Sequence, residues 1–242
     1  MDALVVTCEH GGSRIPVAYR ALFQGQKRLL ASHRGRDLGA LAMARSLATA
    51  LDAPVFASTI SRLLIDLNRP TGHPQLFSTV TRNLPVDLRA RIFEQYHEPF
   101  WSDLKQFVER AVAEGRRTVH ISSHSFTPRL EGQLRRADVG LLYDPARPGE
   151  AELCSRWRAA LIERDPTLHV RRNYPYRGKA AGLTAQMRRW FSARDYVGVE
   201  LEVNQRFFLV GGRRWSALRE VVAESLLATC DVRELHGRAF AK

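Results

Sequence analysis

The sequence predicts an α/β fold, a single domain over residues 1–242 built on a mostly parallel sheet. Three observations predict it. Short apolar runs of strand length alternate with amphipathic stretches of helical spacing from end to end. The 242 residues suit one large domain that buries its apolar surface without covalent staples. No linker, internal repeat or low-complexity segment divides the chain.

The run 3–8 (ALVVTC) predicts a buried strand, stopped by Gly11 and Gly12. Over 36–51, Leu38, Leu41, Leu47 and Leu51 recur at helical spacing, and Asp37 suits the first turn. The runs 53–58 (APVFAS) and 62–67 (RLLIDL) have strand length, the second ended by Asn68-Arg69-Pro70. A polar loop follows over 71–84. Residues 85–115 form a long amphipathic stretch that predicts a helix, with Pro99 the expected site of a bend. The next strand is 118–122 (TVHIS). Then come a strand at 139–144, a helix at 150–164 and a short strand at 168–173. A strand at 196–205 carries two carboxylates, and a helix at 215–230 closes the pattern. The tail 231–242 is weakly patterned.

Composition excludes several classes. Hydrophobic content of 45% with 26% charged residues is that of a soluble globular protein, not a disordered one. No apolar run approaches the roughly 18 to 20 residues that span a bilayer. The N-terminus has no basic segment ahead of its short apolar run, so no signal peptide is expected. The expected location is the cytoplasm. Cys8, Cys154 and Cys230 are far apart and odd in number, which argues against a disulfide framework or a zinc ribbon. Cys8 closes an apolar run and reads as a small buried residue.

The net charge of +12 raises a nucleic-acid-binding protein as an alternative. Only four of the 37 basic residues are lysine, and the arginines are scattered rather than gathered in a stripe. No nucleic-acid-reading motif accompanies them, so this partner is disfavoured. Pairs such as Arg135-Arg136 and Arg171-Arg172 also suit an anionic small molecule.

Four of the strand-like runs carry polar side chains at or near their ends. Glu9 and His10 follow the first, and Asn68 and Arg69 follow 62–67. His124 follows 118–122, and Glu200 and Glu202 lie in 196–205. If these strands are parallel neighbours, their ends converge on one crevice, where such sheets bind ligands. Two histidines with one or two carboxylates match the ligand set of a catalytic zinc site. A further glutamate there serves as base toward a metal-activated water. An arginine beside an asparagine holds a substrate carboxylate.

Each residue also has a plainer reading. His10 suits a turn before two glycines. Asp37 suits a helix N-terminus as a bare charge, although His33 and Asp37, one turn apart, can face the same way. Asn68-Arg69-Pro70 alone marks a strand exit. Glu200 and Glu202 share one strand face, so either can be a structural partner of an arginine. His120 and His124 lie about 13 Å apart on an extended strand at about 3.3 Å per residue. That is too far to share one ion, so His124 is the ligand candidate and His120 a core or supporting histidine.

The stretches TCEHGGSRIP, HRGRDLGALA, SRLLIDLNRP, YHEPFW, SSHSFTP, NYPYRG and VELEVNQ occur in the order expected of the N-formylglutamate amidohydrolase family. The chain resembles that family over about residues 5–210. The resemblance implies a fold similar to the zinc carboxypeptidases and aspartoacylases, a mixed sheet with helices on both faces. It implies one divalent metal, most simply zinc, with His10 and His124 as metal histidines. It also implies Asn68 and Arg69 as the carboxylate-binding pair and Glu202, rather than Glu200, as general base. Tyr176 and Arg177 of NYPYRG are implied to line the pocket. The carboxypeptidase pattern has a glutamate ligand three residues after its first histidine, where this chain has Ser13. The third ligand is therefore assigned to Asp37, with Glu9 and His33 as rivals. Arg62 is a further candidate for a substrate carbonyl or carboxylate. The implied reaction is hydrolysis of an N-acyl amino acid, such as N-formylglutamate. The alternative is a peptidase or deacylase acting on a larger amide at the same site. Oligomeric state is not legible.

Overall fold

Residues 2–230 are described by a computed structural model, and the weakly patterned tail at 231–242 lies outside them. In chain order the elements are β1 (Ala3–Cys8), α1 (Lys27–Ala31), α2 (Ala40–Leu51), β2 (Val55–Ala57), α3 (Val86–Ile92), α4 (Glu98–Ala113) and β3 (Thr118–Phe126). Then follow β4 (Arg129–Leu130), β5 (Gln133–Leu134), β6 (Val139–Leu142), α5 (Pro148–Arg164) and β7 (Val170–Arg172). The last are α6 (Leu183–Trp190), β8 (Tyr196–Asn204), α7 (Arg206–Val210) and α8 (Gly212–Thr229). Six strands form one sheet in the order β2-β1-β3-β8-β6-β7, while β4 and β5 pair separately as a small arm. Every neighbouring pair in the sheet is parallel except β8 with β6. The sheet is thus mixed and mostly parallel, with helices on both faces. No helix among the described residues is long and apolar enough to cross a membrane.

Strand side chains alternate between faces, and the two faces differ in kind. Val6, Ile121, Val199 and Leu201 join Leu47 of α2, Trp157 of α5 and Val222 of α8 in the main apolar core. The other face carries Val5 and Tyr196 against Trp101 and Leu104 of α4 and Met187 of α6. Toward the carboxyl ends of β1, β3 and β8 this second face turns polar. Thr7, Ser122 and Glu200 stand in one row across the strands, and His124 and Glu202 in the next. All five are buried.

The expected strand at 62–67 is a buried turn. Leu64 N donates to Ser61 O, and Arg69 N donates to Asp66 O. The Leu63 and Leu64 carbonyls accept from the Ser78 and Thr81 hydroxyls rather than from a strand. The run is apolar because it fills a second core with Ile15, Tyr19, Phe23 and Ile92. Apolarity reports burial there, and a short apolar run does not distinguish a strand from other buried backbone. The strand expected at 118–122 continues to Phe126, so His124 lies inside it. Its partner β8 extends equally far, pairing Phe126 with Asn204. The helical stretch 85–115 is irregular at a π turn over Phe93–His97, not at Pro99. Pro99 sits in the first turn of α4, where no intrahelical N–H bond is lost.

Candidate active site

His10 follows β1, and Asp37 lies two residues before the Gly39 that precedes α2. Gly39 adopts φ +82°, a conformation costly for any side chain, and α2 starts only at Ala40. Asp37 is therefore no helix charge. Its backbone N donates to His10 O at 3.0 Å, and its Oδ2 lies 2.9 Å from His124 Nδ1 and 3.4 Å from His10 Nδ1. One donor atom from each of His10, Asp37 and His124 lies within 4.8 Å of the others. All three residues are buried.

The outer ring nitrogens show why these side chains point inward. His10 Nε2 lies 2.6 Å from Asp66 Oδ1, and His124 Nε2 lies 2.9 Å from Glu9 Oε2. Each buried carboxylate accepts from an Nε2–H, which turns Nδ1 of both rings toward Asp37, where it offers a lone pair to a cation whenever the ring is neutral. Two nitrogen lone pairs and a carboxylate oxygen facing one another repel unless a cation lies among them. A carboxylate behind each histidine is the arrangement that orients metal-ligating imidazoles. The donor set therefore fits a divalent cation. Without one, the cluster balances its charge with protons. Burial opposes the charged form of His124, but Glu9 and Asp37 raise its pKa well above the ordinary value. Burial likewise works against the Asp37 carboxylate, but His10, His124 and Arg62 hold its pKa far below the usual range.

Of the two rivals, Glu9 stands behind His124 rather than beside Asp37. It accepts from Thr7 Oγ1 and Ser122 Oγ as well. His33 lines the cavity above the cluster but is not one of the converging donors.

Glu200 and Glu202 share the polar face of β8 but differ in their partners. Glu200 Oε1 accepts from Thr184 Oγ1 at 2.6 Å. Glu202 is buried, and its Oε2 has no hydrogen-bond partner among the described residues. Burial pushes its carboxyl up to about 8, with Asp37 and Glu200 adding to the shift against His124 and Arg62.

A cavity of about 240 Å³ lies over these strand ends and brings every sequence-predicted site residue except the rival ligand Glu9 to one wall or another. Arg62 forks onto Asp66 Oδ2 through Nε at 3.2 Å and Nη2 at 2.7 Å, and it reaches Asp37 Oδ1 at 3.5 Å. It is thus partly committed to the carboxylates behind the cluster. Arg69 Nη1 donates to Ala181 O, and His97 Nε2 donates to Arg69 O at 2.7 Å. The π turn that turns His97 inward therefore holds the Arg69 backbone. Asn68 Oδ1 accepts from Leu183 N at 2.8 Å, which leaves its amide nitrogen for a ligand. Tyr176 and Arg177 form the outer wall, where Arg135 lies over the Tyr176 ring at 5.3 Å.

The sequence profile of the N-formylglutamate amidohydrolase family matches residues 2–209. The chain belongs to that family. The fold is similar to a crystal structure of a gene product from Agrobacterium tumefaciens, with 26% identity and a TM-score of 0.82. That alignment covers 96% of this chain and 92% of the other. It is also similar to a crystal structure of N-formylglutamate amidohydrolase from Ralstonia eutropha, with 21% identity and a TM-score of 0.70. Coverage there is 97% and 96%, and the likeness at that identity concerns the fold. No curated protein shows a significant sequence match. In this N-formylglutamate amidohydrolase family member, sequence reasoning missed Asp66 and the supporting role of Glu9. The available signal for Asp66 was a single carboxylate inside the apolar run RLLIDL, which an unpaired buried position would not tolerate.

Proposed function

We propose that this chain is a metal-dependent hydrolase that releases the acyl group, most simply formate, from a small anionic N-acyl amino acid such as N-formylglutamate. The observation that carries the reading is the pairing of opposites across one cavity. A buried carboxyl, Glu202, whose Oε2 has no partner among the described residues, lies on the strand beside His124, next to a group of donor atoms that suits a cation. His10, Asp37 and His124 would hold a divalent ion such as zinc. When bound, such an ion polarises a carbonyl and makes water a better nucleophile near neutral pH.

The chain's own residues supply the rest. Arg69, with the Asn68 amide, anchors the substrate carboxylate in a fork. Arg177 and Tyr176 border the remaining side chain, and Arg62 holds Asp66 while facing the cavity. In its ionised form, Glu202 Oε2 takes a proton from the attacking water and returns it to the departing amide nitrogen. The C–N bond breaks, and formate and the free amino acid leave. A cavity of about 240 Å³ falls below the range usual for drug-sized ligands. This favours a small N-acyl amino acid over the larger amide of a peptidase or deacylase.

The test is formate release from N-formylglutamate, compared with turnover of N-acetyl and dipeptide analogues, before and after chelation. Activity is expected to fall on chelation and return with Zn²⁺. Glu202→Gln is expected to lower kcat by about 10²–10⁴ with Zn²⁺ content unchanged. A chelated protein of full activity, or a fully active Glu202→Gln variant, would overturn the mechanism.

A further inference from the structure

Beneath the histidine–aspartate cluster runs a chain of polar side chains that the reaction does not touch. Behind His124 stands Glu9, whose Oε1 accepts from Thr7 Oγ1. Thr7 Oγ1 lies 2.8 Å from His120 Nε2, and His120 Nδ1 lies 2.7 Å from Tyr196 Oη. Every member is buried.

Counting donors gives this chain one direction. Glu9 is met by the Thr7 and Ser122 hydroxyls and by His124 Nε2, and as a carboxylate it accepts from all three. Ser122 Oγ, also 2.9 Å from His124 Nε2, gives its one proton to Glu9 and shares the Nε2–H as an acceptor. The single Thr7 hydroxyl proton goes to Glu9, and the Thr7 oxygen must accept from His120 Nε2–H. Burial pushes His120 down to about 4, so its ring is neutral and carries one N–H. Nδ1 of His120 is then an acceptor, and the Tyr196 hydroxyl donates to it. A second observation shows that the far end is built. A Cβ at Gly198 would lie 2.6 Å from Tyr196 Oη, so the glycine inside β8 makes the space in which that hydroxyl lies.

We infer that Thr7, His120 and Tyr196 are positioning residues whose hydrogen-bond chain fixes Glu9 as an acceptor and locks His124 in the tautomer with Nδ1 facing the cation site. The inference rests on His10, Asp37 and His124 being that site. It assigns work to residues far from any substrate, through the orientation of one ligand.

The test measures Zn²⁺ affinity of the full chain by competition with a chromophoric chelator. Thr7→Val is expected to weaken Zn²⁺ binding about tenfold or more, and Thr7→Ser, which keeps the hydroxyl, to stay within about twofold of the parent. Equal affinity in the parent and Thr7→Val overturns the inference and leaves the cation site standing. A parent chain that takes up no Zn²⁺ overturns both. Nitrogen-15 NMR of the parent chain gives a check that needs no variant. His120 is expected to carry its proton on Nε2 alone, and a proton on Nδ1 overturns the inference.

Discussion

Asp66 and Glu9 occupy equivalent places behind different histidines. Each accepts from an Nε2, each is buried, and each is held by other donors, Arg62 for Asp66 and two hydroxyls for Glu9. Asp66→Asn keeps the shape and removes the charge behind His10. Its Zn²⁺ affinity is expected to fall about 10–100-fold, read by chelator competition, with far-UV circular dichroism unchanged. Unchanged affinity would show that Asp66 only anchors Arg62. At this scale the positions of His10, His124 and Glu202 on one cavity are legible in the sequence because each follows or interrupts an apolar run. Asp37, by contrast, follows the polar stretch 33–36 and is reached only through the resemblance. The division of labour between Glu200 and Glu202 is not legible from spacing, since both share a face. Thr184, far along the chain, distinguishes the two by donating to Glu200.

The elements place these residues through close backbone contacts. Gly140 of β6 pairs in register with Glu202 of β8, and a Cβ there would run into the carbonyl oxygen of Tyr174. The segment that carries Tyr176 and Arg177 therefore rests directly on β6. Gly140→Ala is expected to cost about 1–3 kcal/mol of stability in urea unfolding. It is also expected to raise KM more than it lowers kcat, because the Tyr174 carbonyl must move by far more than the few tenths of an ångström that Glu202 Cβ, 3.3 Å away, must give. A KM equal to that of the parent would show that the wall finds its place independently. Elements with a paired strand on each side were legible in the sequence. The run 62–67 was not, because its backbone bonds go to Ser78 and Thr81 side chains, and such partners leave no periodic trace.

Over the described residues, the main apolar core lies on the face of the sheet opposite the site, while the site's own face shares its strands with a smaller apolar cluster. Trp157 is fully buried in the main core and donates to Ser225 Oγ at 2.9 Å. Trp157→Ala is expected to cost about 3–5 kcal/mol, seen as a lowered Tm, with Zn²⁺ affinity unchanged. A large loss of affinity would show that the two faces are mechanically coupled. The fold class was legible because alternating runs constrain topology strongly. The reversal of β6 and β7 against the other strands was not, since an apolar run carries no direction.

The parity of β8 has a consequence for how the chain assembles. Val197, Val199, Leu201 and Val203 enter hydrocarbon, while Glu200 and Glu202 enter the cavity. A slip of one residue against β3 would exchange the two sets. It would drive two carboxylates into an apolar interior at a cost of several kcal/mol per ion. The two carboxyl groups that face the cavity thus also penalise a misaligned pairing of the strand that bears them.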